Sequence, residues 1–364
     1  MQICCTKILL EKLHIPPFEA TEENDLFCWS ANLLKIKRKK AVVVVNDSNR
    51  FGFVLYGLKA RDFKSLQGLI EAGIRRCLKR EGIRADIIEA YFGQSGAWAV
   101  NTTRGRVFTA RLSKACERAG YYDDRLDTDA LYQIALSQTM NSELITGRKD
   151  GEYGYPYEFL IQDFKDRYGE KIIATEALDL LIRLDLRGSS VTRRLLVPVD
   201  ITFHELHEII QIVFDWQGSH LHGFNLFDQK DRCIVNVVSA FEDKFETRQD
   251  CPVVQDKDIR IETYIKDANK IIYTYDYGDE WNHDIIVHGI VSDYDKNYPT
   301  CIMAEGNRPP EDVGGISGFE EYLDIMSNPE HPKHEMMKSW TLRKRDKDFD
   351  IDDANHRLRY VLGR

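Results

Sequence analysis

The chain has 364 residues, more than one hydrophobic core usually serves, so two domains of roughly 150–200 residues are the natural expectation. Its 43% hydrophobic and 30% charged residues are ordinary for globular proteins, and no window approaches the roughly 18 apolar residues that crossing a bilayer requires, which argues for a cytoplasmic rather than a membrane protein. The net charge of −9 hides a split: residues 1–141 carry 22 Lys+Arg against 16 Asp+Glu, a net +6, and residues 142–364 carry 28 against 43, a net −15. Opposite signs suit an anionic partner for the basic half or attraction between the halves. The opening MQICCTKILLEKLHIPP has an acid inside its apolar stretch and no small-residue cleavage site, so it reads as part of a fold and not as a secretory signal.

In chain order, FCWSANLLKIK, KAVVVVND and FGFVLYG read as three strands of a meander, with a turn at residues 46–49. From residue 59 to 79, Phe63, Leu66, Ile70, Ile74, Cys77 and Leu78 recur at steps of three and four, the spacing of an amphipathic helix. Shorter helical patterns follow at 85–91, 106–119 and 129–138, the last with Asp127 and Thr128 as N-cap candidates. TGRKDGEYGYP, at 146–156, is rich in glycine and charge, and the domains are cut there: 1–145 as a basic α+β domain, 146–172 as a linker and 173–364 as a second α+β domain. Each domain is expected to be a mainly antiparallel sheet packed with helices.

In the second half, ALDLLIRLDLRG and TRRLLVPVD read as strands, and Thr202 can cap a helix over 203–214. Strands are expected at 220–227 and 233–238, and IIYTYDYGDEWNHDIIVHGIV has the alternation of a hairpin. The eight cysteines contain no CxxC pair, which excludes a zinc ribbon and predicts buried, reduced thiols.

Nine of the ten histidines lie after residue 200. The helical and strand periodicities turn His207, His220, His222 and His283 inward, where they could meet Asp276, Asp279 or Glu280 as a divalent metal or acid/base site. The alternative is that they are core histidines satisfied by carbonyl or Asp partners. HELH at 204–207 is not the zincin HExxH, because its histidines stand three apart. RPPEDVGG at 308–315 fixes Glu311 and Asp312 on a rigid loop that could hold a cation or ligand, or simply cap the next helix. No phosphate-binding glycine loop and no GxSxG is present. Lys37, Arg38, Lys39 and Lys40 form a basic run that Arg75 and Arg76 could extend into a nucleic-acid footprint, or they are a solvated turn.

TRRLLVP, FHELHEIIQIVFDWQGSHLHGFNLF, YTYDYGDEWNHDIIV and RPPEDVGGISGFEEYL, in that order and followed by Trp340, resemble the successive signatures of the root-inducing (Ri) plasmid ORF-3-like family. Thr192 stands where that family usually has tryptophan. The resemblance falls on Arg193, Arg194, His207, Gln211, Trp216, His220, Tyr275, Asp276, Asp279, Trp281, His283, Glu311 and Asp312, among others. Arg193, Arg194, Gln211, Trp216 and Trp281 are ligand-binding candidates, and Asp276, Asp279, Glu311 and Asp312 are catalytic candidates in a hydrolase reading where Asp276 or Asp279 binds the ion and Glu311 or Asp312 serves as base. The resemblance implies a protein carried on plasmids and mobile elements, without recombination chemistry. The first half is similar to a separate uncharacterised bacterial domain family, through CTKILLEKL, LFCWSANLL, KAVVVVND, VLYGLKARDF and NTTRGR. Three readings follow: a binding or adaptor protein whose basic domain contacts nucleic acid or a protein partner; a metal-dependent hydrolase using the His/Asp cluster; or a histidine cluster that is structural.

Overall fold

The computed structural model describes residues 1–16, 22–147, 152–239, 251–343 and 348–362. It is α+β and divides into two units, Met1–Ala174 with Asp295–Asn297, and Thr175–Tyr294 with Tyr298–Leu362. Among the described residues no helix is long and apolar enough to cross a membrane.

The first unit runs β1 (Gln2–Cys5), α1 (Lys7–Leu13), β2 (Cys28–Ile36), β3 (Lys39–Asn46), β4 (Gly52–Tyr56), α2 (Ala60–Lys64), α3 (Leu66–Arg80), α4 (Ala85–Gln94), β5 (Ala99–Thr102), α5 (Arg106–Tyr121), α6 (Ile134–Asn141), β6 (Ile145–Thr146), β7 (Tyr153–Gly154) and α7 (Pro156–Tyr168). Its main sheet has the order β4-β3-β2-β1-β5. The predicted meander is present as β2, β3 and β4, all antiparallel, but β1 pairs in parallel with both β2 and β5, so the sheet is mixed. Val43, Val45 and Val54 face α5 and α6, meeting Leu112, Ala115, Leu136 and Met140. On the other face α3 lies so close that a Cβ on Gly73 would sit 2.3 Å from the Phe53 ring, and only glycine lets helix and strand meet there.

Three expectations are corrected in this unit. The helix expected over 59–79 breaks at Ser65 into α2 and α3. The helix expected from 129 starts at Ile134, because the Asp127 carboxylate accepts from the Asp129 and Ala130 N–H groups in a turn of its own. The stretch 146–172 is not a free linker. Residues 148–151 lie outside the described residues, but α7 packs Leu160 and Phe164 into the unit, Phe164 against the Tyr91 ring, and Asp163 accepts from Asn49.

The second unit runs β8 (Thr175–Asp185), β9 (Ser190–Pro198), α8 (Phe203–Phe214), β10 (His222–Phe227), β11 (Cys233–Val238), β12 (Val253–Gln255), β13 (Lys270–Tyr275), β14 (Trp281–Tyr294), β15 (Thr300–Glu305), α9 (Gly315–Ser327), α10 (His334–Arg343) and α11 (Ile351–Leu358). Its eight strands are ordered β12-β11-β10-β13-β14-β8-β9-β15, antiparallel except for β11 with β12. Strict alternation on β8 turns Leu178, Leu180, Ile182 and Leu184 inward, and the apolar stripe of α8 packs over them with Leu206, Ile210 and Val213. Thr202 opens α8 as expected: its hydroxyl accepts from Glu205 N–H, and the Glu205 carboxylate accepts from Thr202 N–H at 2.7 Å. The expected reduced state fails for Cys233 and Cys251, which form a disulfide. Parallel pairing of Asn236 with Val253 draws the two Cα atoms to 5.8 Å.

Candidate functional site

The β13–β14 hairpin is the platform. Its register sets Tyr273 opposite His283 and Tyr275 opposite Trp281, so all four side chains share the inward face and are buried. Above them, α8 ends where Asp215 takes a left-handed conformation and turns the chain into the loop 216–221. That loop is tied down by its own N–H groups: Gly218 donates to Gln211 Oε1 at 2.8 Å, Ser219 to the Tyr275 hydroxyl at 3.0 Å, and Gln217 to Glu311 Oε2 at 3.4 Å. The result holds His220 over the hairpin turn.

The loop 308–315 closes the other side. Asp312, Gly314 and Gly315 all have left-handed backbone, and a Cβ on Gly315 would stand 2.8 Å from the Asp279 carbonyl oxygen, so that close approach needs glycine. Asp279 accepts from Gly314 N–H, which fastens the loop to the hairpin turn. The acids then gather round one imidazole. His220 Nε2 lies 2.9 Å from Asp312 Oδ1 and 3.9 Å from Glu311 Oε1, and Nδ1 lies 3.5 Å from Asp276 Oδ2. The His220 side chain is 29% exposed, Asp312 45% and Glu311 only 2%, so the cluster is open on the Asp312 side. Tyr275 donates to Glu311 Oε1 at 2.6 Å, and burial followed by that contact raises the phenol above its ordinary range.

A second cluster lies deeper. His204 and His207, three apart on α8, share a helix face, and the His207 ring stacks on His222 of β10 at 3.4 Å and 6°. Asp256 Oδ2 is 3.0 Å from His204 Nδ1 and 2.9 Å from His222 Nε2, while its Oδ1 has no hydrogen-bond partner among the described residues. Burial alone raises this carboxyl, but the hydrogen bonds from His204 and His222 outweigh it and hold Asp256 well below its usual range. The same bond raises His204, whereas burial and the neighbouring His222 push His207 down to about 2. His207 Nδ1 meets the Tyr273 hydroxyl at 2.8 Å, to which Gln211 also donates.

The four histidines expected to converge are therefore divided. His220 joins Asp276, Glu311 and Asp312; His207 and His222 join His204 and Asp256; His283 joins neither. His283 Nδ1 faces the Trp281 carbonyl oxygen, Trp216 donates to its Nε2, and burial pushes it down to about 4. Trp216 stacks on Trp281 beneath the Arg308 guanidinium. Asp279 fastens the loop, and Gln211 links Tyr273 to Gly218. Arg193 is fully buried, donating to the carbonyls of Val213, Thr192, Glu305 and Gly306, and Arg194 pairs bidentately with Asp179. Asp256 carried no sequence signal: it belongs to no motif and reaches its partners across 34 and 52 residues.

In the first unit the basic candidates are largely engaged. Lys37 pairs with Asp123, Lys39 and Lys40 lie over the Tyr56 and Phe63 rings, Arg75 pairs with Glu71 and Glu89, and Arg76 stacks on Tyr132. Arg38 is exposed at the β2–β3 turn.

Comparison with known proteins agrees with the division into two. The profile of the plasmid pRiA4b ORF-3-like proteins matches residues 176–357, and a domain of unknown function, DUF6933, matches residues 2–159. An uncharacterized protein of Sinorhizobium fredii, y4hQ, is 30% identical over 178 residues, 48% of this chain and 84% of that protein. A crystal structure of a protein of unknown function from Methanosarcina mazei Go1 is 28% identical and covers 49% of this chain and 97% of its own, with a TM-score of 0.42.

Proposed function

The chain belongs to the plasmid pRiA4b ORF-3-like family, and we propose that its second unit holds a divalent cation between His220 Nε2, Glu311 and Asp312 and uses it in hydrolysis. The observation that carries this reading is one partly exposed imidazole with carboxylates at both nitrogens. Asp276 faces Nδ1 at 3.5 Å and Asp312 faces Nε2 at 2.9 Å; with an ion on Nε2 the imidazole proton would sit on Nδ1 toward Asp276, the arrangement that orients a metal-binding histidine. Two carboxylates and one imidazole suit a hard or borderline ion such as Mn²⁺ or Zn²⁺. Such an ion, when bound, polarises a substrate oxygen and makes its own water acidic enough to supply the nucleophile. Tyr275 holds Glu311 in place, and the exposed side of Asp312 gives water and substrate a way in.

Protein stripped with EDTA and titrated calorimetrically with Mn²⁺ and Zn²⁺ is expected to bind an ion that His220→Ala and Asp312→Asn each weaken at least tenfold. Turnover on a panel of phosphomonoesters, carboxylic esters and amides should fall in the same variants. Unchanged affinity in both variants, with the fold intact by circular dichroism, overturns the reading. A nucleic-acid-binding adaptor draws less support, because Lys37, Lys39, Lys40, Arg75 and Arg76 all have partners within their own unit.

A further inference from the structure

A row of polar side chains crosses the buried centre of the first unit's sheet, where apolar residues would be cheaper. The parallel register sets Gln2 beside Cys28 and Cys4 beside Ser30 on one flank, and Gln2 beside Ala99 and Cys4 beside Asn101 on the other. Residues at alternate positions share a face, so Gln2, Cys4, Cys28, Ser30 and Asn101 point the same way. Ser30 is paired with Val45, which places the row on the face that α5 and α6 cover. Asp47, just past β3, completes it. Cys4 and Cys28 are 0% exposed and Asp47 3%.

The side chains are organised round a shared centre. Ligand atoms of Cys4, Cys28 and Asp47 all lie within 4.8 Å of one another. The Gln2 amide is oriented by two donors to its oxygen, Asn101 Nδ2 at 2.7 Å and Glu22 N–H at 3.1 Å, so its NH₂ faces Cys4 Sγ at 3.4 Å and Cys28 Sγ at 3.9 Å. Ser30 donates to Asp47 Oδ1 at 2.6 Å, while among the described residues Oδ2 accepts no hydrogen bond and forms a long ion pair with the Arg104 guanidinium at 3.8 Å. A buried carboxylate oxygen that among the described residues accepts no hydrogen bond and has a guanidinium only at ion-pair distance, beside two thiols whose sulfurs are offered amide protons, leaves a place for a metal cation at closer range.

We infer that Cys4, Cys28 and Asp47 form a Zn²⁺-type site in the first unit, supported by Gln2, Ser30 and Arg104. Two thiolates and a carboxylate are ligands for a borderline-soft ion in tetrahedral geometry. Amide protons directed at the sulfurs stabilise thiolates, Ser30 fixes the carboxylate, and Arg104 offsets the surplus negative charge. Cys5 alternates to the opposite face of β1 and takes no part.

The test uses the full chain produced in cobalt-supplemented medium and kept reduced. Thiolate-bound Co²⁺ gives a sulfur-to-metal charge-transfer band that the His/Asp clusters of the second unit cannot produce. The band is expected in the wild type, in Cys5→Ser and in His220→Ala, to vanish in Cys4→Ser and Cys28→Ser, and to shift in Asp47→Asn. If the cysteine variants fail to fold, the wild-type and Asp47→Asn spectra still decide. Absence of the band from folded wild type, with no Zn²⁺ retained by protein grown in zinc, overturns the inference. So does a Cys4–Cys28 disulfide found in protein isolated under thiol-blocking conditions.

Discussion

Asp256 and Asp312 each stand 2.9 Å from a histidine nitrogen, yet one is 1% exposed and the other 45%. Round Asp256 gather three histidines, His204, His207 and His222; round His220 gather three acids, Asp276, Glu311 and Asp312. The inversion follows from solvent. A carboxylate withdrawn from water must be satisfied by its neighbours, as the raised His204 does for Asp256 and the Tyr275 hydroxyl and Gln217 N–H do for Glu311, whereas the exposed Asp312 can carry negative charge that a cation from solution offsets. The same residue types thus make a buried, mutually hydrogen-bonded cluster in one place and a partly exposed, acid-rich one in the other.

The largest expected effect breaks the buried cluster. Asp256→Ala leaves His204 and His222 without their shared acceptor, and removing one member of a buried pair typically costs about 3–5 kcal/mol. Urea unfolding should register that loss while divalent-cation affinity stays within about twofold of wild type. A cost below about 1 kcal/mol would mean that the deep cluster is not structural.

Acidification should act on the buried histidines next. His283 and His207 are held neutral in the folded chain, with pKa values of about 4 and about 2, whereas unfolded histidine titrates near 6.5. Below pH 6.5 the unfolded state therefore binds protons that the folded state refuses, and stability falls as pH falls, by about 1.4 kcal/mol per unit per group. For His283 the window closes at about pH 4, after a loss of about 3 kcal/mol. His204 runs the other way: its raised value contributes stability that is full below pH 6.5 and is lost as pH climbs through the folded value. A His283→Asn chain should show a shallower decline in urea midpoint between pH 6.5 and 4; an unchanged slope would count against a neutral buried His283.

The hydroxyls of Tyr273 and Tyr275 separate the clusters more finely. Tyr273→Phe strips a partner from His207 and Gln211 and should cost about 1–3 kcal/mol without touching cation affinity. Tyr275→Phe releases Glu311 and Ser219, so it should weaken cation binding measurably by calorimetry. Equal effects of the two on binding would erase the distinction.

How much of this was legible in the sequence depended on whether the signal was local. The Thr202 cap, the amphipathic stripe of α8 and the alternation of the 271–291 hairpin are written within a few residues, and each stands where its spacing placed it. β1 and β5 are four residues long and gain their partners from strands far along the chain, so periodicity could not find them. α7 hid behind a glycine-rich stretch, although Pro156 at its first turn and Glu158 reaching back to the Tyr155 N–H were a start signal in plain view. The inward turn of His207, His222 and His283 could be read from spacing, but β10 starts at His222, so His220 sits partly exposed in the loop before it and not inward on a strand, and the division of the four could not be read. It depends on Asp256, and on the loop 308–315 folding back on the hairpin, both long-range events.

The subtlest prediction concerns Asp276, which does two jobs with two oxygens. Its Oδ1 accepts from the Gly278 and Asp279 N–H groups and shapes the hairpin turn, and its Oδ2 faces His220 Nδ1. Asp276→Asn keeps an acceptor oxygen for the turn and removes the charge that faces Nδ1, so stability should change by less than about 1 kcal/mol. Loss of such an orienting partner typically weakens a metal site 10–100-fold, and calorimetric titration with Mn²⁺ or Zn²⁺ should show a fall of roughly that size. A variant that unfolds more readily yet binds the ion as before would make Asp276 a turn residue and nothing more. Equal stability with weaker binding would instead tie the acid behind the imidazole to the ion in front of it.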